Sequence, residues 1–116
     1  MTVLFILNDP PYGSERGHNA LRLANTLKKQ DKDTIIHIFL MADAVLAAKK
    51  GQETPDGYYN MERMLKRFAA SGSLLLCGTC MAARGLRAED MLEGATKSTM
   101  DELAKLTVAA DKILVW

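Results

Sequence analysis

Two cysteines three residues apart are the most reactive side chains in this sequence. Cys77 and Cys80 are its only cysteines, in the run Cys77-Gly78-Thr79-Cys80. Two thiols this close are too few for the disulfide framework of a secreted protein, and they are typical of a redox-active or metal-binding pair in a reducing compartment. We therefore expect a cytoplasmic protein with thiol chemistry at this pair.

A turn and a basic side chain accompany the two thiols. Cys77 ends a predicted buried strand and Gly78 lets the backbone turn, so the sulfur should lie near backbone N–H groups. If a helical turn begins near Thr79, Arg84 lies one turn after Cys80 on the same side, where its charge would lower a thiol pKa. The alternative is that neither thiol is reactive and both cysteines are small buried hydrophobic residues.

A metal site and a thioredoxin fold are both disfavoured. Zinc would need two further ligands, and the only imidazoles are His18, expected to be solvated, and His37, expected within a strand. A thioredoxin-like pair is unexpected after a third strand, and no Trp precedes Cys77. We expect no metal and no cofactor, while a dithiol switch on another fold stays open.

The hydrophobic pattern alternates between strands and helices. Short β-branched apolar runs predict strands, and apolar residues at i, i+3, i+4 and i+7 predict helices. Strands are expected over 3–7, 34–40, 73–77, 95–97 and 112–116, and helices over 16–30, 42–50, 60–70, 88–92 and 99–109. This order favours a three-layer α/β/α fold with a parallel sheet of about five strands and helices on both faces. Residues 51–58 are expected to form an exposed, mobile loop.

The loop after the first strand is a second candidate for ligand binding, because ligands of open α/β sheets gather at the carboxyl ends of strands. If the first and third strands are neighbours, this loop faces the cysteine loop across one crevice. It lacks a Walker or GxGxxG fingerprint, so it gives weak support to nucleotide binding. A rigid turn that caps the next helix is the alternative. The crevice residues would be Asn8, Pro11, Tyr12, Gly13 and Ser14, opposite Gly78, Thr79 and Gly85.

Length and charge limit the class of protein. The 116 residues fit one domain over 1–116. The net charge of +1 and the short apolar runs lead us to expect no nucleic-acid and no membrane partner. A chain this small buries only about two thirds of its unfolded surface, so a homo-oligomer would gain stability.

Four segments that follow or contain strands carry a family resemblance over the whole chain. They are Pro11-Tyr12-Gly13-Ser14-Glu15, Phe39-Leu40-Met41-Ala42-Asp43-Ala44-Val45, Cys77-x-x-Cys80-x-x-x-Arg84-Gly85 and Ala110-Asp111-Lys112-Ile113-Leu114. In this order they resemble the DsrE/DsrF-like sulfur-relay family, in particular its small YchN-like branch. The resemblance implies a three-layer α/β/α domain of five parallel strands, assembled as a trimer or hexamer.

The resemblance also implies a role for each thiol. In sulfur-relay members a cysteine at the end of the third strand accepts sulfur as a persulfide and passes it on, and the matching position is Cys77. Cys80 would be a resolving or modulating thiol, Arg84 would favour the anion, and the partners would be sulfur-donor and sulfur-acceptor proteins. A dithiol–disulfide redox protein and a non-catalytic oligomer that binds a small ligand stay open as alternatives.

Overall fold

Five parallel strands form one sheet in a computed structural model that describes all residues 1–116. The strands are β1 (Thr2–Leu7), β2 (Ile35–Leu40), β3 (Ser73–Cys77), β4 (Ala95–Ser98) and β5 (Lys112–Val115). Their spatial order is β4-β3-β2-β1-β5. The predicted α/β class, with its parallel five-stranded sheet, is confirmed.

Four α-helices and two short 3-10 helices connect the strands. The α-helices are α1 (Arg16–Gln30), α2 (Met61–Ala69), α3 (Gly78–Ala83) and α4 (Met100–Ala109), and the 3-10 helices span Ala42–Ala48 and Ala88–Asp90. The helices expected over 42–50 and 88–92 are thus 3-10 segments, too short or too irregular for α-helical hydrogen bonding. None of the helices has the length and apolar character needed to cross a bilayer.

The central strands are buried on both faces, which is why they consist of nearly continuous apolar runs. Leu4 and Phe5 of β1 and Ile38 and Phe39 of β2 have no exposed surface. The chain moves in one direction from β1 to β4 and then returns past β1 to form β5. Right-handed crossovers therefore place α4 on the opposite face from α1 and α2.

The layer formed by α4 covers its face incompletely. Leu103 is the only buried residue of this helix. Large apolar side chains stay exposed on this helix, namely Met100 and Val108, and on strands of the sheet, namely Ile35, Ile113 and Val115. One outer layer is therefore well packed, whereas the other leaves apolar surface in contact with solvent.

Candidate functional site

The two cysteines lie where β3 turns directly into α3. Cys77 is the N-cap of this helix, and its Sγ accepts a hydrogen bond from the backbone N–H of Cys80 at 3.3 Å. Cys77 is buried, with 7% of its surface exposed, and Cys80 is half-buried. Both are free thiols. The sequence therefore folds so that the first sulfur faces backbone donors and the second lies nearer to solvent.

A backbone donor from the segment after the neighbouring strand, β2, contacts the second sulfur. The N–H of Ala42, two residues after β2, donates to Cys80 Sγ at 3.2 Å. Ala42 has a φ of +49°, a left-handed conformation that costs a non-glycine residue about 1–2 kcal/mol. Ala42 was not among the predicted site residues. Its position after a predicted strand was visible, but nothing in the sequence signals a positive φ at an alanine.

The electrostatics of Cys77 differ from the sequence expectation. Burial raises the pKa of the Cys77 thiol, and so does its hydrogen bond with the Cys80 side chain, while the backbone N–H groups of Cys80 and Thr79 act in the opposite direction. Burial dominates because the thiolate is the charged form. The expected lowering of a thiol pKa is therefore wrong for Cys77, which stays protonated to a higher pH than an exposed cysteine.

Arg84 is held by a carboxylate. Its guanidinium lies 2.9 Å from Asp43 Oδ1 and donates to the backbone carbonyl of Cys80 at 3.1 Å. Arg84 thus lies one turn after Cys80, as predicted, but its guanidinium forms an ion pair with the Asp43 carboxylate. The contact joins α3 to the 3-10 helix after β2 and fixes the segment that carries Cys80.

A cavity of about 390 Å³ opens beside the cysteine turn. Gly78 and Thr79 line one side of it, and Lys97, Thr99 and other residues around the β4–α4 junction line the other. A Cβ on Gly78 would lie 2.8 Å from Lys97 Cε and 3.2 Å from the carbonyl oxygen of Ser98. A glycine at position 78 therefore suits the close approach of α3 to β4, because a Cβ there would require the Lys97 side chain to move and would lie tightly against the backbone of Ser98.

The crevice expected between the first loop and the cysteine loop is not formed as predicted. It required β1 and β3 to be neighbours, and β2 lies between them. The segment that adjoins the cysteine turn is instead the one after β2, which carries Ala42 and Asp43. A parallel order of strands is readable from the sequence, whereas their lateral neighbours depend on packing.

The residues of the first loop bind other parts of the chain. Asn8 donates to the carbonyl of Trp116, on the far side of β1. Tyr12 donates to Gln52 Oε1 and accepts from the backbone N–H of Met61, and the Pro11 carbonyl accepts from Tyr59.

Gly13 and Gly85 occupy positions that favour glycine, with φ of +91° and +68°, and Ser14 donates to Asp9. Gly85 lies two residues after the end of α3, directly after the C-cap residue Arg84. The structure thus groups Cys77, Gly78, Thr79, Cys80, Arg84 and Gly85, and it separates them from the five residues of the first loop.

The two histidines lie apart from the thiols. His18 contacts Met64 Sδ at 3.4 Å and stacks on Tyr59, so it is half-buried and not fully solvated as expected. Burial lowers the pKa of His37 in β2, against the opposing effect of Glu102. No three His, Cys, Asp or Glu side chains converge on a point that could hold a metal ion.

The fold and the cysteine turn define a three-layer α/β protein with a CxxC dithiol at the carboxyl end of its third strand. The model of the DsrE/DsrF-like family matches residues 1–116. The chain therefore belongs to the DsrE/DsrF-like family.

Several relatives are similar in sequence over nearly the whole length of this chain. Protein YchN of Escherichia coli (strain K12) is 38% identical over 115 residues, which cover 98% of this chain and 97% of YchN. MJ0989 of Methanocaldococcus jannaschii is 34% identical over 117 residues, covering all of both chains.

Two solved structures match this fold. The crystal structure of the YchN protein from E. coli superposes with a TM-score of 0.94, covering 100% of this chain and 99% of that one at 38% identity. MTH1491 of Methanobacterium thermoautotrophicum has a TM-score of 0.77 at 14% identity, covering 97% of this chain and 96% of its own. The second match shows the shared fold alone.

Proposed function

We propose that this protein is a cytoplasmic sulfur carrier of the sulfurtransferase type, in which Cys77 accepts sulfane sulfur as a persulfide. Membership of the DsrE/DsrF-like family is consistent with a sulfur-relay role. The observation that carries the proposal is the pair of sulfurs at the end of β3, each of which accepts a hydrogen bond from a backbone N–H. Such donors stabilise an anionic thiolate or persulfide.

The transfer step balances without an outside oxidant. The Cys77 thiolate attacks the terminal sulfur of a donor persulfide, R–S–S⁻, so that a new S–S bond forms on Cys77 and R–S⁻ leaves. The proton of the Cys77 thiol must first be lost, which the raised pKa opposes and the backbone donors of α3 favour. An acceptor thiolate then takes the outer sulfur by the same exchange.

Cys80 would act as the resolving thiol. Its thiolate can attack the inner sulfur of the Cys77 persulfide, which forms a Cys77–Cys80 disulfide and releases hydrosulfide. Cys80 suits this role because it is nearer to solvent than Cys77 and its backbone already contacts the Cys77 sulfur. Release of hydrosulfide through Cys80 would therefore compete with transfer of the outer sulfur to an acceptor thiol.

Intact-mass spectrometry tests this function. Reduced protein is incubated with inorganic polysulfide, or with a cysteine desulfurase and cysteine. We expect one added sulfur atom per chain in the wild type, a longer-lived adduct in Cys80→Ser, and none in Cys77→Ser. A wild type that gains no sulfur, or a Cys77→Ser variant that gains as much as the wild type, would contradict the proposal.

A dithiol–disulfide redox protein is the second candidate, favoured by the contact between the two free cysteines at the start of α3. It predicts loss of two thiols on mild oxidation and full recovery on reduction, without any sulfur adduct. A protein that cycles between these forms but never gains sulfur from polysulfide would be assigned to this class.

Copies of this chain would associate into a trimer or hexamer, and sulfur-donor and sulfur-acceptor proteins would bind the assembly. The apolar side chains left exposed around α4 and β5 support self-association, since burying them removes apolar surface from water. Sedimentation of the wild type and of Val108→Asp, at a position 89% exposed, tests it. A wild type that stays monomeric would contradict self-association.

A further inference from the structure

A second cavity lies away from the cysteines, between α1 and the end of the loop over 51–58. Its volume is about 570 Å³, within the range of small-molecule sites. The lining combines aromatic rings with a carboxylate, an amide and a guanidinium, and consists of Glu15, His18, Asn19, Arg22, Gly57, Tyr58 and Tyr59. None of these residues belongs to the sulfur site, so the cavity needs its own explanation.

Three aromatic rings form a stack along one wall of the cavity. His18 stacks on Tyr59 with the ring centroids 4.3 Å apart, and Tyr58 stacks on Tyr59 with the centroids 4.6 Å apart. Tyr59 is anchored because its hydroxyl donates to the carbonyl of Pro11. Tyr58 ends the stack and is 51% exposed. The open end of a ring stack is a platform on which a further flat ring can lie.

The two charged groups of the lining are separated along the axis of α1. Glu15 precedes α1 and Arg22 is seven residues further on, a rise of about 10 Å along the helix. Asn19 lies between them, and its Oδ1 accepts a hydrogen bond from Arg22. Neither Glu15 nor Arg22 has a salt-bridge partner within the chain. An occupant that lies along α1 would therefore meet an acceptor at one end and a cation at the other.

We propose that this cavity binds an adenine nucleotide, with the base on Tyr58, the exocyclic amine toward Glu15 and the phosphate toward Arg22. A flat ring with a hydrogen-bond donor at one end and an anion at the other matches the order of the groups along α1. Recognition would rest on stacking and one guanidinium, which explains how a chain without a glycine-rich phosphate loop could hold a nucleotide.

Ligand-observed NMR and calorimetry with three probes test the proposed chemistry. Adenosine 5′-monophosphate should bind saturably, with a dissociation constant of about 1 mM or tighter. Adenosine lacks the phosphate and inosine 5′-monophosphate lacks the amine, so each should bind at least several-fold more weakly. No saturable binding of adenosine monophosphate, or equal binding of all three probes, would overturn the proposal.

Variants locate the binding. Tyr58→Ala should weaken binding about tenfold or more, and Arg22→Gln should remove the preference for the nucleotide over the nucleoside. Tyr58→Phe keeps the ring and should retain binding, which separates loss of stacking from loss of the loop structure. Arg67→Gln changes an exposed arginine outside the cavity and should have no effect. Binding that survives both Tyr58→Ala and Arg22→Gln would overturn the proposed site.

The site is independent of the proposed sulfur chemistry. A Cys77→Ser/Cys80→Ser double variant should bind adenosine monophosphate as the wild type does. Loss of binding in that variant would contradict the separation of the two sites, even if sulfur transfer were established.

Discussion

The backbone N–H of Ala42 points at the sulfur of Cys80, at a distance of 3.2 Å, from a residue in the left-handed conformation. The two residues belong to connections that follow adjacent strands, β2 and β3. The strained backbone places a donor where a negative charge on Cys80 would develop. A backbone N–H is held in place by the main chain, so this donor can move less than a side-chain donor could.

Substitution at Ala42 should reveal the strain. Valine is branched at Cβ and disfavours a positive φ, so Ala42→Val should lower the free energy of unfolding by about 1–3 kcal/mol. Ala42→Gly relieves the strain but raises the conformational entropy of the unfolded chain. Its free energy of unfolding should therefore stay within about 1 kcal/mol of the wild type. Urea unfolding measures both. Ala104→Val, at an exposed position of α4, is the control, and an equal loss in the two valine variants would contradict the strained conformation.

Breaking the contact between Arg84 and Asp43 should expose Cys80. Asp43→Asn removes the charge that holds the guanidinium, so the end of α3 should open more often and Cys80 should be alkylated several-fold faster. Stability should fall by at most about 1 kcal/mol because the pair is partly exposed. Iodoacetamide labelling followed by peptide mass spectrometry gives the rates. Arg87→Ala, which affects an exposed pair with Glu89, should leave them unchanged.

A methyl group at Gly78 should be costly, whereas one at Gly17 should not. Gly78→Ala meets Lys97 Cε and the fixed carbonyl of Ser98, so it should destabilise the fold by about 1–3 kcal/mol. Adding Lys97→Ala should restore part of this loss. Gly17 is the second residue of α1 and a Cβ there would approach only the terminal methyl of Met61, at 3.3 Å, so Gly17→Ala should cost less stability than Gly78→Ala. Thermal unfolding that ranks the two alanine variants equally would contradict the close packing of α3.

The thiol of Cys77 should make the protein less stable in alkali. Its pKa is raised in the folded chain, so the unfolded chain loses this proton first as the pH rises above about 8.5. The unfolded state then binds fewer protons than the folded state, and stability falls with rising pH. Cys77→Ser lacks this titration. Between pH 8 and 10 the free energy of unfolding of the wild type should therefore fall more than that of the variant. A difference that is constant over this range would contradict the raised pKa.

Much of the sheet could be predicted from the sequence because β1, β2, β3 and β5 are short, mainly apolar runs bounded by turn residues, whereas β4 is mainly polar. The helix over 16–30 and the strand over 73–77 match the structure. The lateral order of strands was not predictable in the same way, since apolar runs do not say which neighbours they pair with. That gap produced the wrong expectation that the loop after β1 faces the cysteines.

The two thiols of the site could be predicted from the sequence, but the residues that surround them could not. The spacing of Cys77 and Cys80 and their place at a strand end are local properties of the sequence. The contribution of Ala42 and the pairing of Arg84 with Asp43 depend on contacts about forty residues apart. The same holds for the stack of His18, Tyr58 and Tyr59, whose members come from two elements.

The pairing of β1 with β5 has a consequence for synthesis of the chain. β1 is made first, yet one of its edges is completed only by residues 112–115, and Asn8 is bonded to Trp116. During translation this apolar strand has an open edge until residues 112–115 have left the ribosome. We expect the nascent chain to depend on late, long-range pairing, which makes folding slow for a protein of this length.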